Sequence, residues 1–187
     1  MICRDGIVVA ADRRTSAGYL IVDKKSPKIF QLDHNIALTT SGSVSDIQQL
    51  LKFARGEIQQ IQIQENSKVS YNRLSNFLTD LIYYAARDFK MIEFCGGFIL
   101  AMIDENGMHI GDIGSDGSLL NFDDYCSTGS GSIVTLGVLE TLYKKNLSIE
   151  EGVALAKKAI SASISRDMPT GDGIDIMILK NEKEKTN

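Results

Sequence analysis

The apolar positions of this 187-residue chain change their spacing four times, and that order of periods limits the folds open to it. Ile7 to Ala11 is a continuous apolar run, while Tyr19 to Val22, Lys28 to Leu32 and Asn35 to Thr40 are strand-length segments between polar breaks, which predicts a meander of hairpins. At Ser43 the period switches. Ile47, Leu50, Leu51, Ala54, Ile58 and Ile61 follow the i, i+3, i+4, i+7 spacing of one helix face, and Ser43 or Ser45 supplies a cap. A second helix begins near Ser70 and runs to about Asp88, with Leu74, Phe77, Leu78, Leu81 and Ala85 on its stripe. Strands return at Gly96 to Ile103, Met108 to Ile113 and Ser118 to Phe122, separated by Asp104-Glu105-Asn106-Gly107 and Gly114-Ser115-Asp116-Gly117. Two more helices follow, about Ile133 to Tyr143 and Ser148 to about Arg166. Ser148 with Glu151 three residues on is a capping box, and Val153, Ala156, Ala159, Ile160, Ser163 and Ile164 form the stripe. Gly173 to Leu179 is the last strand, and Asn181 to Asn187 is a solvated charged tail.

Strands, two helices, strands, two helices and a strand do not alternate βαβ as a parallel sheet requires. The order predicts an α+β fold: two antiparallel sheets face to face with a helix pair on each outer side, a four-layer αββα sandwich. A hydrophobic fraction of 43% is enough for one core, so a single domain over 1–180 is expected, with 181–187 as the tail. A formal charge of −4 without gathered basic residues argues against nucleic acid, since Arg13-Arg14 and Lys144-Lys145 are only pairs. The longest apolar run, Phe98 to Ile103, is far short of the roughly 20 residues that span a bilayer. The N-terminus has no basic and apolar signal-peptide pattern, so no membrane and no export are expected. Cys3, Cys95 and Cys126 are odd in number and widely spaced, which fits a reducing cytosol better than a disulfide framework. With only His34 and His109, and no HExxH spacing, no metal and no cofactor are assigned.

Three segments carry more than fold information: Asp5-Gly6-Ile7-Val8-Val9-Ala10-Ala11-Asp12-Arg13-Arg14, Tyr125-Cys126-Ser127-Thr128-Gly129-Ser130-Gly131-Ser132, and Arg166-Asp167-Met168-Pro169-Thr170-Gly171-Asp172-Gly173-Ile174-Asp175. Together with Ser26-Pro27-Lys28-Ile29-Phe30-Gln31 and Thr40-Ser41-Gly42-Ser43, in this order and spacing, they resemble the β-type subunits of proteasomes, of the archaeal 20S kind. The likeness runs from the start to about residue 180. That family belongs to the N-terminal-nucleophile hydrolases, whose αββα sandwich agrees with the element order read independently above.

The resemblance implies a threonine-type endopeptidase in which a mature N-terminal threonine attacks the scissile carbonyl and its own α-amine serves as general base. Lys28 would then stand beside the threonine hydroxyl, easing formation of the alkoxide, and Asp12 would hold that ammonium. Ser130, Asp167 and Thr170 would surround the α-amine, and the backbone N–H of Gly42 would face the oxyanion. Serine is common in the family where Thr170 stands here, and the hydroxyl is retained. Substrate would add as an antiparallel strand against the backbone of Ser16, Gly42 and Val44. The first pocket would be lined by Thr15, Ser26, Phe30, Thr40, Val44 and Gln48, which carry no charge, so neutral and mostly apolar residues are expected before the cut. The implied partners are other β-subunits in a ring of seven, α-subunit rings, an ATP-driven unfoldase and unfolded polypeptide, in the cytoplasm.

Chains of that family begin about five residues earlier, at a Thr-rich segment, and here Met1 stands already inside the first strand. A chain starting at Met1 is therefore expected to be inert, and two explanations compete: a start set too late, or a non-catalytic structural ring subunit. The presence of Asp12, Lys28, Gly42, Ser130 and Asp167 together favours the first. Cys3 is rejected as nucleophile because removal of Met1 exposes Ile2 and leaves Cys3 without a free amine. Without the family, Lys28, Asp12, Arg13 and Arg14 would be ordinary exposed charges, and Gly129 to Ser132 a loop entering a helix. Tyr83, Tyr84, Phe89 and Phe94 are assigned to the core or a subunit contact, and Cys95 and Cys126 to small buried positions.

Overall fold

The computed structural model describes residues 1–88 and 96–181, and among them the elements follow the order that the periods predict. The chain opens with β1 (Ile2–Cys3), β2 (Gly6–Asp12), β3 (Thr15–Ala17), β4 (Leu20–Asp23), β5 (Ile29–Asp33) and β6 (Ile36–Gly42). Helices α1 (Val44–Glu65) and α2 (Tyr71–Arg87) come next, then β7 (Gly96–Asp104), β8 (Gly107–Ile113) and β9 (Leu119–Phe122). Helices α3 (Ser132–Leu142) and α4 (Ile149–Arg166) precede β10 (Ile174–Lys180).

All pairings are antiparallel. The larger sheet has the order β5-β6-β7-β8-β9, the smaller β1-β2-β10, and β3-β4 forms a hairpin of its own. Side chains alternate across each strand, so one sheet serves two layers. On β6 and β7, Ile36, Leu38, Phe98, Leu100 and Met102 pack against Leu50, Ala54, Ile58 and Ile61 of α1 and Leu74, Leu78 and Ile82 of α2. Their neighbours Ala37, Ala101 and Ile103 face the other way, onto Ile7, Val9 and Leu179 of the smaller sheet. The far face of β2 presents Val8 to Ala156 and Val153 of α4. The result is the αββα sandwich, with α1 and α2 on one outside and α3 and α4 on the other. Slipping β6 by one residue against β7, where Ile36 pairs with Met102 and Gly42 with Gly96, would turn both faces over.

The structure places two features more finely than the periods do. The meander contains a third, separate hairpin, β3-β4, because its strands diverge from both sheets and leave Tyr19 and Leu20 exposed. Of the two places expected for Tyr83 and Tyr84, the core or a subunit contact, their exposure on this chain excludes the core. The helix turns them outward, where they meet edge to face and Arg87 lies 3.6 Å over the Tyr83 ring centroid. Phe89, Phe94 and Cys95 lie outside the described residues.

The helix ends were legible in part. Ser43 is the N-cap of α1 by position but its side chain makes no capping bond, whereas the Ser70 hydroxyl accepts from the Arg73 N–H. At α4 the capping box forms in full: Ser148 Oγ accepts from Glu151 N at 3.2 Å and Glu151 Oε2 from Ser148 N at 2.8 Å. Ser148→Ala is expected to lower the unfolding free energy by about 1 kcal/mol. The measurement is the urea midpoint at unchanged slope, and an unaltered midpoint would show that the cap contributes nothing. Among the described residues no helix is long and apolar enough to cross a membrane.

Candidate active site

Strand ends place the charged pair. Asp12 is the last residue of β2, and Lys28 stands just before β5, fixed beside Thr40 because Thr40 N donates to Lys28 O at 3.0 Å. The Lys28 Nζ donates to Asp12 Oδ1 at 2.7 Å, and the buried Asp12 accepts on its other oxygen from Arg14 N at 3.0 Å and Gly171 N at 2.9 Å. Both oxygens of this carboxylate are thus hydrogen-bonded, as burial demands. Gly42 closes β6 with φ 115°, a left-handed backbone that glycine adopts without a Cβ penalty.

Facing this pair are three polar side chains from two loops. Ser130 lies just before α3, and its Oγ donates to Asp167 Oδ2 at 2.6 Å; Thr170 Oγ1 donates to the same oxygen. Asp167 is the C-cap of α4, anchored by its own N–H to Ser163 O at 2.7 Å. The Ser130 loop is tied down from behind. Ser163 Oγ donates to Gly131 O at 2.9 Å and lies 2.8 Å from Thr135 Oγ1. A Cβ on Gly131 would come within 2.9 Å of Thr170 Oγ1 and 3.0 Å of Ser163 Cβ, so glycine is what lets the two loops approach.

A cleft of about 930 Å³ joins these parts. Asp12, Lys28, Gly42, Ser130 and Thr170 line it, as do Thr15, Ser16, Ser26, Phe30, Thr40, Val44 and Gln48. Of the residues picked from sequence, Asp167 alone does not line the cleft; it meets the others only through Ser130 and Thr170. Met1 also lines the cleft, its nitrogen donating to Val8 O at 2.9 Å in the register of β1 on β2.

Three groups were missed. Arg14 spans to the loop after α4, with Nε donating to Asp172 Oδ2 at 2.7 Å and Nη1 to Met168 O at 2.6 Å. The Arg14 hydrogen bond holds the Asp172 carboxyl below its usual range. Asp23 stands behind the pocket: Thr15 Oγ1 donates to Ser26 Oγ at 2.7 Å and Ser26 Oγ to Asp23 Oδ2 at 2.6 Å, which lowers the Asp23 pKa. Ser163 and Thr135 form the buried hydroxyl pair. Only the first left a trace in sequence, as Arg13-Arg14 and Asp172-Gly173 are oppositely charged segments that nothing local pairs.

The thiols are not poised for attack. Burial pushes Cys126 up to about 12 and raises Cys3 as well, so both stay protonated and serve as packing groups. Cys126 packs among the residues between the sheets, but only partly buried. Among the described residues no cluster of His, Cys, Asp and Glu is arranged to hold a metal ion.

Comparison with known proteins agrees with this fold. The model of the proteasome subunit family matches residues 1–179. Proteasome subunit beta of Methanocella paludicola is 35% identical over 179 residues, covering 96% of this chain and 84% of that protein. Proteasome subunit beta of Methanothermobacter thermautotrophicus is 34% identical over 181 residues, with 97% and 84% covered. Proteasome subunit beta 1 of Thermococcus onnurineus is 33% identical over 183 residues, with 97% and 87% covered. Fold, motif order and relatives converge, and the chain belongs to the proteasome subunit family, among its β-type subunits.

Proposed function

We propose that this chain is a cutting subunit of a 20S proteasome core, a threonine-type endopeptidase acting on unfolded polypeptide. One observation carries the reading. Ile2 pairs with Ile7, so a strand continued back along β2 brings the position five before Met1 opposite Arg13, next to the 2.7 Å Lys28–Asp12 pair. Five residues of strand span about 17 Å at roughly 3.3 Å each. A mature N-terminal threonine at that position has its hydroxyl beside Lys28 and its α-amine toward Ser130, Asp167 and Thr170.

The chemistry follows from those neighbours. The α-amine takes the hydroxyl proton as the threonine oxygen bonds to the scissile carbonyl carbon, and the Lys28 ammonium stabilises negative charge on the attacking oxygen. The Gly42 N–H donates to the carbonyl oxygen as it becomes an oxyanion. The C–N bond then breaks, the departing amine takes the proton back, and water hydrolyses the resulting ester by the same route. Asp12 fixes the ammonium, and Asp167 acts on the amine through Ser130 and Thr170.

Substrate pairs main chain to main chain with Ser16, Gly42 and Val44, and the uncharged Thr15, Ser26, Phe30, Thr40, Val44 and Gln48 favour neutral, mostly apolar residues before the cut. In this reading the subunit sits in a seven-membered β-ring between α-rings, in the cytoplasm, and an ATP-driven unfoldase supplies the chain to be cut. The test is the N-terminal sequence of the subunit from its native assembly, with hydrolysis of an apolar peptide amide. An N-terminal threonine about five residues before Met1 together with hydrolysis is expected. A different N-terminus and no hydrolysis would leave the structural ring subunit as the function.

A further inference from the structure

We propose that Arg14 is a positioning residue of this site, holding the 168–172 loop at the height where Thr170 and Asp167 meet Ser130. The end of β2 grips that loop at four points. Asp12 Oδ2 accepts from Gly171 N at 2.9 Å, Arg13 N donates to Gly171 O at 3.1 Å, and the Arg14 guanidinium takes both Asp172 Oδ2 and Met168 O. Of these three residues, Arg14 is the one that bonds both Met168 and Asp172 and so spans the loop.

The guanidinium also lies flat against the loop backbone. A Cβ on Gly171 would fall 2.1 Å from Arg14 Nη2 and 2.2 Å from its Cζ, so the plane of the side chain packs where any larger residue would collide. Asp172 adopts φ 62°, a left-handed conformation that costs a non-glycine residue free energy and persists when its surroundings impose it. The Arg14–Asp172 ion pair, with both side chains 18% exposed, holds Asp172 by its side chain in that conformation. Within the loop itself, Thr170 N reaches Asp167 O at a long 3.2 Å. Thr170 therefore takes its place from Arg14 on one side and from Asp167 on the other. Lysine cannot replace the fork, because one ammonium does not bond a carboxylate and a carbonyl across the loop in one plane.

The kinetic part of the claim rests on the peptidase reading; the structural part does not, and the experiment separates them. In the assembled, processed subunit, Arg14→Ala is compared with wild type and with Arg14→Lys by hydrogen exchange of the 168–173 peptide and by steady-state hydrolysis. Exchange in that peptide is expected to quicken about 10-fold while β6 and β7 stay protected. The kcat is expected to fall about 100-fold with KM little changed, because the substrate strand pairs with Ser16, Gly42 and Val44 and not with the loop. Millimolar guanidinium ion is expected to restore part of the rate to Arg14→Ala and none to Thr170→Ala, a signature that general destabilisation does not give.

The sign of the pH response is fixed. Asp172 has a folded pKa below its unfolded one, so its contribution is present above about pH 4 and is lost as pH falls through the lower folded value. Protection of the loop should accordingly hold from pH 8 down to about pH 4. Unchanged exchange in Arg14→Ala overturns the proposal, as does a loss carried by KM. If wild type itself does not hydrolyse peptide, the peptidase reading fails, and the exchange result still decides whether Arg14 holds the loop. Should Arg14→Ala not assemble, Arg14→Lys carries the same measurements.

Discussion

Lys28→Ala is expected to take hydrolysis of a peptide amide by the mature subunit down at least about 10³-fold in kcat/KM, with assembly intact. In the mechanism proposed above, the Lys28 ammonium is the positive charge beside the attacking oxygen, and the two neighbouring arginines are engaged elsewhere: Arg14 on Asp172 and Met168 O, and Arg13 on Asp175. A thousandfold loss corresponds to about 4 kcal/mol of transition-state stabilisation. The variant is expected to lose stability because Asp12 is left without its counter-charge, but to remain folded, since Asp12 keeps the N–H donors of Arg14 and Gly171. Lys28→Arg is expected to fail too, since the planar guanidinium does not fit a position set by one 2.7 Å bond. The measurement is kcat/KM by single-turnover and steady-state assay; a loss under about 10-fold would remove Lys28 from the chemistry.

Asp12→Ala should damage stability as well as activity. It leaves three donors, Lys28 Nζ, Arg14 N and Gly171 N, without their shared acceptor in a place where Asp12 is only 8% exposed. Breaking a buried ion pair by deleting one member costs about 3 to 5 kcal/mol, and the partial exposure of Lys28 puts this case at the lower end, about 3 kcal/mol. Asp12→Asn retains an acceptor oxygen but not the charge, and should cost about 1 to 2 kcal/mol while losing as much activity. Urea unfolding of both variants checks the ordering. Equal losses for Asn and Ala would mean that the charge and not the hydrogen bonding holds this corner together.

Much of this was present in the chain's own periods. The switch at Ser43 located α1, Ser148 with Glu151 located the start of α4, and the stripe on α2 named residues that are buried against β7. Ile82, the fully buried neighbour on that stripe, escaped because an apolar residue between two others adds nothing to a period already counted. β1 and β3 escaped for a different reason: two and three residues are too few to show any alternation. The charged pair Asp12 and Lys28 and the Ser130, Asp167, Thr170 cluster were found by motif likeness alone. Distances between them depend on where four strand and helix ends stop, which no local pattern encodes. Arg14 was in plain view within a motif but received no role, because its partners Asp172 and Met168 are some 150 residues away and one of them is a backbone carbonyl.

The apolar clusters of the sandwich are unequal. The extensive one joins α1 and α2 to β6 and β7, while the α3 and α4 side rests on small groups around Val8 and Ala156 and around Leu139, Leu155 and Ala159. Resistance to local opening follows buried apolar contact, so the thinner side yields first on warming. Ser130, Asp167 and Thr170 are all attached to that side. The cleft is thus expected to lose its geometry before the whole molecule melts, and filling space beneath α3 and α4 is expected to raise its heat tolerance more than further packing on the opposite face.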